Sequence, residues 1–525
     1  MRIRVVLRLL GSLLKILSML LLVPGGVASY YGETRGVLAF ALTAIISLLA
    51  GIILAQLGSD DEMGHKEGFA LVAFGWLAAA FLGALPYYFL GTSMVDGLFE
   101  SMSAFTTTGS SILVEYDTQG YWIINKTLAD RSLAVALAGD FHRSFGPMAP
   151  GGHAAPMPIG DMTYMGLLFW RSFAQWLGGM GIILLFIAIL PKLGVAGRQL
   201  YKAENPGPDK ETITPRIRET AKLLWWVYLI FTLLEVALLW LAGMTLYDSL
   251  CSTFATMATG GFSPRCLSIM AYKSVVIDGI IIAFMFLAGT NFALHYRMLY
   301  TDRKALIKDP EFRFYAAIIL AATAVVMLWG GLEGDVFFKL RLALFQVVSI
   351  MTTTGFITAD YDRWTAAARM VLFLLMLVGA CAGSTGGAIK VVRLLLVLKR
   401  GFTELKHALH PKAVIVVKLA GVPVKDEVLR SSNIFFALYP VVFAIAALLL
   451  AIVSYNDPRM TMESIISAVA ATLGNIGPGF GNVGPMSCFA DVHPLGKIIL
   501  LLCMWIGRLE IITVLVLLVP DFWRK

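Results

Sequence analysis

The chain has 525 residues, of which 58% are hydrophobic and 14% are charged. A soluble core of ordinary shape cannot hide so much apolar surface, so the composition excludes a water-soluble globular protein and indicates a chain with lipid as its surroundings. The formal net charge of +8 does not indicate a nucleic-acid partner, because the basic residues lie in particular loops and form no single basic face.

Apolar stretches of roughly 20 residues recur along the chain and predict an all-α integral membrane protein with ten transmembrane helices. The ten stretches are 5–23, 37–57, 68–90, 163–190, 222–243, 275–296, 313–331, 367–398, 432–454 and 496–519. With ten spans, the basic N-terminus and three basic loops fall on one side, which the positive-inside rule makes the cytoplasm. We therefore expect cytoplasmic N- and C-termini, although the acidic loop 58–67 is an exception to the charge rule.

The N-terminal apolar stretch has features of a signal peptide, since a basic start precedes it and small residues end it near Ser29. Its removal would leave an odd number of spans and reverse the charge distribution, so we expect it to stay in the protein. The five cysteines have no CxxC spacing and indicate neither a zinc site nor a disulfide framework.

Four short segments lie between alternate pairs of spans, and each ends in a similar small polar run. These runs are TTTGS at 106–110, ATGGF at 258–262, TTTGF at 352–356 and GNIGP at 474–478. About 13 helix-compatible residues precede each glycine, too few to cross a bilayer, so each segment is expected to enter the membrane and turn back. Non-helical backbone at that depth must be buried in protein or line an aqueous cavity. The four copies therefore predict a shared pore with pseudo-fourfold arrangement.

The repeats divide the chain into an N-terminal hairpin and four parallel units of helix, pore loop and helix. The predicted boundaries are 1–60 for the two-helix hairpin, 61–195 for the first repeat with a long external insert at about 120–161, 196–305 for the second, 306–425 for the third and 426–525 for the fourth. Each repeat has two crossings, so all pore segments enter from the same face. Many alternating-access transporters instead use inverted repeats.

The threonine and glycine residues suit a filter for an alkali cation. An ion that leaves water needs other oxygens, and rings of backbone carbonyls supply them. Glycine adopts the backbone angles that such a turn requires, and helix C-termini direct partial negative charge toward the ion. The predicted ion-binding residues, where potassium would be held, are Thr107, Thr108, Gly109, Thr259, Gly260, Gly261, Thr353, Thr354, Gly355, Asn475, Ile476 and Gly477. Close helix packing explains a single such run, but four registered copies favour the filter.

These runs, together with GACAGSTGG at 379–387, LGNIGPGFG at 473–481 and WIGRLE at 505–510, closely resemble the TrkH/TrkG-type membrane subunits of the Trk/Ktr potassium transporter superfamily. The resemblance extends over nearly the whole chain. It implies potassium uptake, a homodimer in the bacterial inner membrane and a cytoplasmic regulatory subunit of TrkA type that binds NAD, ATP or ADP. It also implies K+ as the transported ion, membrane lipid as surroundings and no organic cofactor in this chain. The insert at about 120–161 is longer than the resemblance leads us to expect.

Small residues interrupt the second span of the third repeat, where a continuous helix is costly. Supported by the resemblance, we interpret 379–390 as an intramembrane loop that blocks the pore beneath the filter until a regulator moves it. Its predicted gate residues are Gly379, Gly383, Ser384, Thr385, Gly386 and Gly387. A kinked but packed helix is the alternative.

Arg508 lies within the last apolar stretch, where an unpaired charge is expensive and normally faces a cavity. The resemblance implies that it projects into the pore below the filter and raises the barrier to cations. An ion pair with Glu510 is the alternative, although residues two apart on a helix do not face each other. Other charged residues in or near spans are interpreted as interhelical or interfacial contacts. These are Arg171, Glu235, Asp278 and His295.

No histidine lies in a metal-ligand spacing and no catalytic triad is recognisable, so we do not expect an enzyme. Two alternatives to the Trk-type function stay open: the potassium-translocating subunit of an ATP-driven pump, and an alternating-access solute symporter. Symport of potassium with sodium or protons is also left open.

Overall fold

The structure is a computed structural model that describes residues 1–59, 61, 63–114, 164–181, 217–413 and 415–524. The external insert at about 120–161 lies outside the described residues, as do the end of the predicted span 163–190 and most of the basic loop that follows it. The regular secondary structure of the described part is helical apart from a two-stranded antiparallel hairpin of β1 (Lys418–Leu419) and β2 (Val422–Pro423).

The helices follow one another in chain order. They are α1 (Ile3–Leu20), α2 (Leu22–Tyr30), α3 (Thr34–Leu57), α4 (His65–Phe89), α5 (Met94–Phe105), α6 (Met165–Gly179), α7 (Ile217–Leu241), α8 (Leu246–Met257), α9 (Val275–Ala288), α10 (Phe292–Tyr300), α11 (Ala305–Lys308), α12 (Pro310–Trp329), α13 (Val336–Met351), α14 (Ala366–Leu377), α15 (Val391–Leu409), α16 (Asp426–Val453), α17 (Met462–Leu473), α18 (Pro494–Arg508), α19 (Ile512–Leu515) and α20 (Pro520–Trp523). Four short 3-10 helices are Ser268–Tyr272, Tyr361–Arg363, Gly481–Val483 and Val516–Leu518.

The chain is a multi-pass membrane protein. Among the described residues, six helices are long and apolar enough to cross a bilayer, or up to eight if two strongly bent helix pairs are each counted as one span. Of the ten predicted spans, 163–190 is described only in part, and 367–398 is divided by a non-helical segment between α14 and α15. The count of ten therefore stays a prediction.

Four short helices, α5, α8, α13 and α17, contain 12, 12, 16 and 12 residues. Each begins at a residue whose side-chain oxygen accepts a hydrogen bond from the N–H group three residues later, which satisfies one of the free donors of the first turn. These N-cap residues are Ser93, Thr245, Asp335 and Thr461. The same N-cap hydrogen bond thus marks the N-terminus of each short helix.

In the second, third and fourth repeats, the helix that follows the short helix is interrupted. In the third repeat α14 ends at Leu377 and α15 begins at Val391, so the segment that includes the predicted loop is non-helical. The helices α9 and α10 meet at 98°, and α18 and the segment Ile512–Leu518 meet at 109°. In the first repeat α6 ends at Gly179, and Gly181 has a φ of +77°. Sequence analysis identified only the interruption in the third repeat.

A buried ion pair joins α18 to α5. Lys497 of α18 forms an ion pair of 2.5 Å with Asp96 of α5, and both side chains are only 3% exposed. Lys497 also donates to the carbonyl oxygen of Ala490, and Asp96 accepts from Ser93. These hydrogen bonds compensate part of the cost of removing both charges from water.

Replacement of Lys497 by methionine is expected to lower the free energy of unfolding by about 3–5 kcal/mol, because it leaves the Asp96 carboxylate buried without its cation. The thermal midpoint of the detergent-purified protein measures this loss. The double variant Lys497→Met, Asp96→Asn removes both charges and should recover most of it. A Lys497→Met protein as stable as the parent would contradict this account of the pair.

Candidate functional site

Each of the four predicted filter runs contains two residues in the left-handed backbone region, separated by one residue. The first of each pair has a side chain: Thr107, Thr259, Thr353 and Asn475, with φ of +53°, +52°, +60° and +54°. The second is glycine: Gly109, Gly261, Gly355 and Gly477, with φ of +83°, +71°, +79° and +108°. A β-branched residue in this region is strained, at a cost of order 1–3 kcal/mol, and such strain clusters at functional sites.

The same two hydrogen bonds close each short helix. In the first repeat, Thr107 donates its N–H to the carbonyl of Ala104 at 3.0 Å, and Thr108 donates to Ser103 at 2.8 Å. Equivalent bonds occur at the ends of α8, α13 and α17. This is the Schellman pattern, in which the residue after the helix is normally glycine. Here threonine or asparagine holds that position, and the four turns, with three different sequences, adopt one backbone path.

The four turns, 106–109, 258–261, 352–355 and 474–477, contact one another in a closed cycle. The site where a Cβ would be added to each glycine is occupied by a carbonyl oxygen of another turn. The pairs are Gly109 with Gly260, Gly261 with Thr354, Gly355 with Ile476, and Gly477 with Thr108, the last at 2.8 Å. Each glycine therefore lies against the carbonyl that precedes the next glycine, and the fourth turn returns to the first. The structure brings all twelve predicted filter residues together in these turns.

Side chains behind the turns hold them in place. Gln175 of α6 donates Nε2–H to the carbonyl of Gly260 at 2.7 Å and accepts the N–H of Phe262 at 3.1 Å. Arg171, one turn earlier, forms a buried ion pair of 2.7 Å with Glu100, and its guanidinium lies 4.1 Å from the centre of the Phe262 ring. Arg171 is thus an interhelical contact, as the sequence predicted, and it also packs against the residue that follows the second turn.

Sequence analysis missed Gln175 and Glu100. A signal for Glu100 exists in the repeats, because Glu100 and Gln346 each lie nine residues before their glycine, at a buried position of a short helix. Glu100 accepts the N–H of Ile112 at 2.9 Å, and Gln346 donates to Thr358 at 3.1 Å. Both polar groups therefore tie the short helix to the chain that follows its own turn.

The intramembrane loop lies against three of the four turns. Thr259 donates its hydroxyl to the hydroxyl of Thr385 at 3.2 Å, and Gly387 donates its N–H to the hydroxyl of Thr353 at 2.8 Å. A side chain on Gly387 would meet the carbonyl oxygen of Gly474 in the fourth turn. Gly383 has a φ of +74°, and a Cβ there would lie 2.8 Å from Asn291. The glycines therefore permit close backbone packing.

Arg508 lies beside the first turn and contacts it. It is the last residue of α18, and its guanidinium donates to the hydroxyl of Thr107 at 3.0 Å and to the carbonyl of Thr385 at 2.8 Å. The other terminal nitrogen donates to the carbonyls of Gly178 and Gly179 at 2.5 and 2.9 Å. Arg508 thus stands at a helix break and not in the middle of a helix. Glu510 forms an ion pair with Arg393.

The remaining charged positions lie at helix contacts. Asp278 of α9 lies 3.7 Å from Arg341 of α13, and His295 of α10 bonds through Nε2 to the carbonyl of Leu287 at 2.9 Å. Glu235 is fully buried in α7. Within the described residues no group of three or more His, Cys, Asp or Glu side chains could hold a metal ion. The residues of the four turns have no charged side chain, so the oxygens at the turns are those of backbone carbonyls, threonine hydroxyls and the amide of Asn475.

Four short helices thus end in adjoining glycine-containing turns within a helical membrane protein. A profile of the TrkH family, described as cation transport protein, matches residues 157–331 and 335–525. The Trk system potassium uptake protein TrkH of Salmonella typhimurium is 36% identical over 535 residues, with 100% of both chains covered. TrkG of Escherichia coli is 29% identical and covers 100% of this chain and 99% of its own.

A crystal structure agrees over the full length. The potassium transporter TrkH from Vibrio parahaemolyticus superimposes with a TM-score of 0.80 at 34% identity and 100% coverage of both chains. The chain belongs to the TrkH family of cation transport proteins, which confirms the family predicted from the sequence. Because its relatives are transporters, the prediction that it is not an enzyme is also confirmed.

The segment after the fourth turn is held by a loop from the third repeat. Tyr361 donates its hydroxyl to the carbonyl of Gly479 at 3.1 Å, and Asp362 accepts the N–H of Gly481 at 3.0 Å. Burial raises the pKa of Asp362 to about 6; the hydrogen bond from Gly481 opposes this shift, and the negative charge of Asp360 adds to it.

The thermal stability of the protein should therefore carry a pH dependence from Asp362. Its pKa in the folded state lies above its ordinary value, so the stabilisation is complete below about pH 4 and is lost as the pH rises through about 6. Asp362→Asn keeps an acceptor and does not titrate. The difference in melting temperature, variant minus parent, should rise between about pH 4 and about pH 7. A difference that stays constant over this range would show that Asp362 does not titrate as described.

Proposed function

We propose that this protein takes up potassium across the bacterial inner membrane through a ring of backbone carbonyls formed by the four turns. The observation that carries the proposal is the closed cycle in which each glycine lies against the carbonyl before the next glycine. The names of the relatives, which are potassium uptake proteins of the Trk system, support K+ as the substrate.

Potassium is a large, weakly hydrated cation that exchanges water for carbonyl oxygens at low cost. The left-handed residues turn the chain away from the helix direction, so that successive carbonyls after each short helix can face the ion. The C-termini of α5, α8, α13 and α17 add partial negative charge. The residues proposed to bind the ion are those at 107–109, 259–261, 353–355 and 475–477. One left-handed glycine in each turn favours a short filter with few ion sites in series.

We infer that the loop and Arg508 close the pathway in this conformation. The hydroxyls of Thr107, Thr259 and Thr353 have Arg508, Thr385 and Gly387 as hydrogen-bond partners, so an ion leaving the ring would have to displace these groups. The guanidinium also places a positive charge near the path. The gate residues proposed are Gly379, Gly383, Ser384, Thr385, Gly386, Gly387 and Arg508.

The assembly around this chain is part of the proposal. The family relationship supports a homodimer and a cytoplasmic nucleotide-binding regulator of TrkA type, and the basic residues of the connecting loops support cytoplasmic termini.

The five-part division of the chain, with a hairpin at 1–60 and repeats from 61, 196, 306 and 426, is supported by the recurrence of the capped short helix and its turn.

Gly109→Ser tests the ring. The added Cβ would meet the carbonyl oxygen of Gly260 and would also be strained at a φ of +83°. Rubidium uptake into liposomes containing the purified protein is expected to fall roughly tenfold or more, or sodium is expected to compete more strongly, because the carbonyl spacing changes.

Gly279→Ser is the matched control, because Gly279 is helical and a Cβ there meets nothing within 4 Å. It should transport like the parent. Unchanged uptake and unchanged sodium competition in an assembled Gly109→Ser protein would refute the ring.

Arg508→Ala tests the gate charge. Without the guanidinium the path loses a positive charge and the loop loses its bond at Thr385, so rubidium flux without a regulator should rise by roughly threefold or more. Arg508→Lys keeps a positive charge, so its rubidium flux should rise less than that of Arg508→Ala. Arg363→Ala, at an exposed arginine paired with Asp360, serves as control. Parent-like flux in an assembled Arg508→Ala protein would remove Arg508 from the gate.

A further inference from the structure

A single buried carboxylate contacts the intramembrane loop near its start and the chain just after its end. Glu311 is the second residue of α12 and is 1% exposed. Its Oε1 accepts the N–H of Ala382 at 2.6 Å and the N–H of Val392 at 3.3 Å. Ala382 precedes the part of the loop that touches the turns, and Val392 follows it. One oxygen atom therefore sets the distance between the two ends.

Helix electrostatics favour a negative charge at this position. Val392 is the second residue of α15, and the first N–H groups of a helix have no acceptor within the helix. Glu311 itself lies in the first turn of α12. The carboxylate thus lies at the positive ends of two helices, where an anion is stabilised.

The chain before Glu311 is fastened to the same part of the loop. Phe292, the first residue of α10, donates its N–H to the carbonyl of Gly383 at 2.9 Å. The segment 292–311 therefore contacts two adjacent loop residues, Ala382 and Gly383, one at each of its own ends. Arg303, Lys304 and Lys308, in the part of this segment between α10 and α12, belong to a loop predicted to face the cytoplasm.

We propose that Glu311 is the positioning residue that holds the intramembrane loop beneath the four turns. This inference rests on the proposed function, in which that loop closes the pathway. Release of the Ala382 N–H from Glu311 frees the part of the loop that contacts Thr259 and Thr353, while the bond to Val392 keeps the start of α15 in place. Glu311 then acts as the fixed point about which the loop moves.

The loop contains its own reporter for this movement. Cys381 precedes Ala382, is fully buried, and donates its N–H to the carbonyl of Gly289 at 3.0 Å. In a background where the other cysteines are replaced by alanine, the rate at which a small thiol reagent modifies Cys381 measures loop displacement. The replaced residues are Cys251, Cys266, Cys488 and Cys503.

Three variants are compared in liposomes without a regulatory subunit, each after a check of assembly by size-exclusion chromatography. Glu311→Ala removes both charge-assisted bonds, so Cys381 modification should be roughly tenfold faster or more, and rubidium flux should rise with it. Glu311→Gln keeps an acceptor oxygen without the charge and should give an intermediate rate. Glu404→Gln, at an exposed glutamate near Arg400, should match the background.

The two readouts separate the inference from the function on which it rests. Unchanged Cys381 modification in assembled Glu311→Ala and Glu311→Gln proteins overturns the role of Glu311, whatever the flux. Faster modification with unchanged flux supports Glu311 as the anchor of the loop and overturns the loop as the gate. Faster modification and higher flux, in the order Ala, Gln, parent, support both.

Discussion

Four helix ends meet inside the membrane-spanning part of this protein, and the backbone groups at those ends cannot be left without partners. Each helix closes its last turn with two internal hydrogen bonds, which requires a left-handed residue directly after the helix. The carbonyl before the following glycine then lies against the neighbouring turn. Most other features at the centre of the protein serve this arrangement. Gln175, Glu100 and Asp362 bind the chain around the turns, and the interrupted helices bring further polar backbone beneath them.

The groups that contact the turns from below differ from one repeat to the next. Arg508 contacts the first turn, whereas the intramembrane loop contacts the second, third and fourth. The same two elements bind each other through the carbonyl of Thr385. Displacement of either one therefore weakens the contacts of the other. Glu311 adds a third point of attachment from the side of α12.

The four short helices and their turns could be predicted from the sequence because short length and a glycine ending are local properties. The left-handed threonines could not, since threonine normally avoids that backbone region and here the two hydrogen bonds that close each short helix require it. The break after α18 was equally hidden. Glu510 and Ile511 have φ of +56° and +49°, and neither is a glycine. The ion pair of Glu510 with Arg393 helps to hold this conformation.

Other errors of the sequence analysis have the same origin. Arg508 was placed in the middle of a helix because the apolar stretch continues beyond it, and hydropathy does not register a bend of 109°. Gln175 gave no signal, because its partners Gly260 and Phe262 lie far along the chain and an isolated glutamine in an apolar helix has no distinctive spacing. Local chemistry thus located the turns, while long-range contacts decided what supports them.

The four turns belong to one polypeptide, and this has a genetic consequence. In an assembly of identical subunits, one codon change alters every quarter of the ring at once. Here Thr107, Thr259, Thr353 and Asn475 are encoded separately, so each quarter can accept a different side chain while three remain intact. In the proposed ring, natural variation can therefore adjust ion preference in small steps, and Arg508 places one positive charge beside one quarter only.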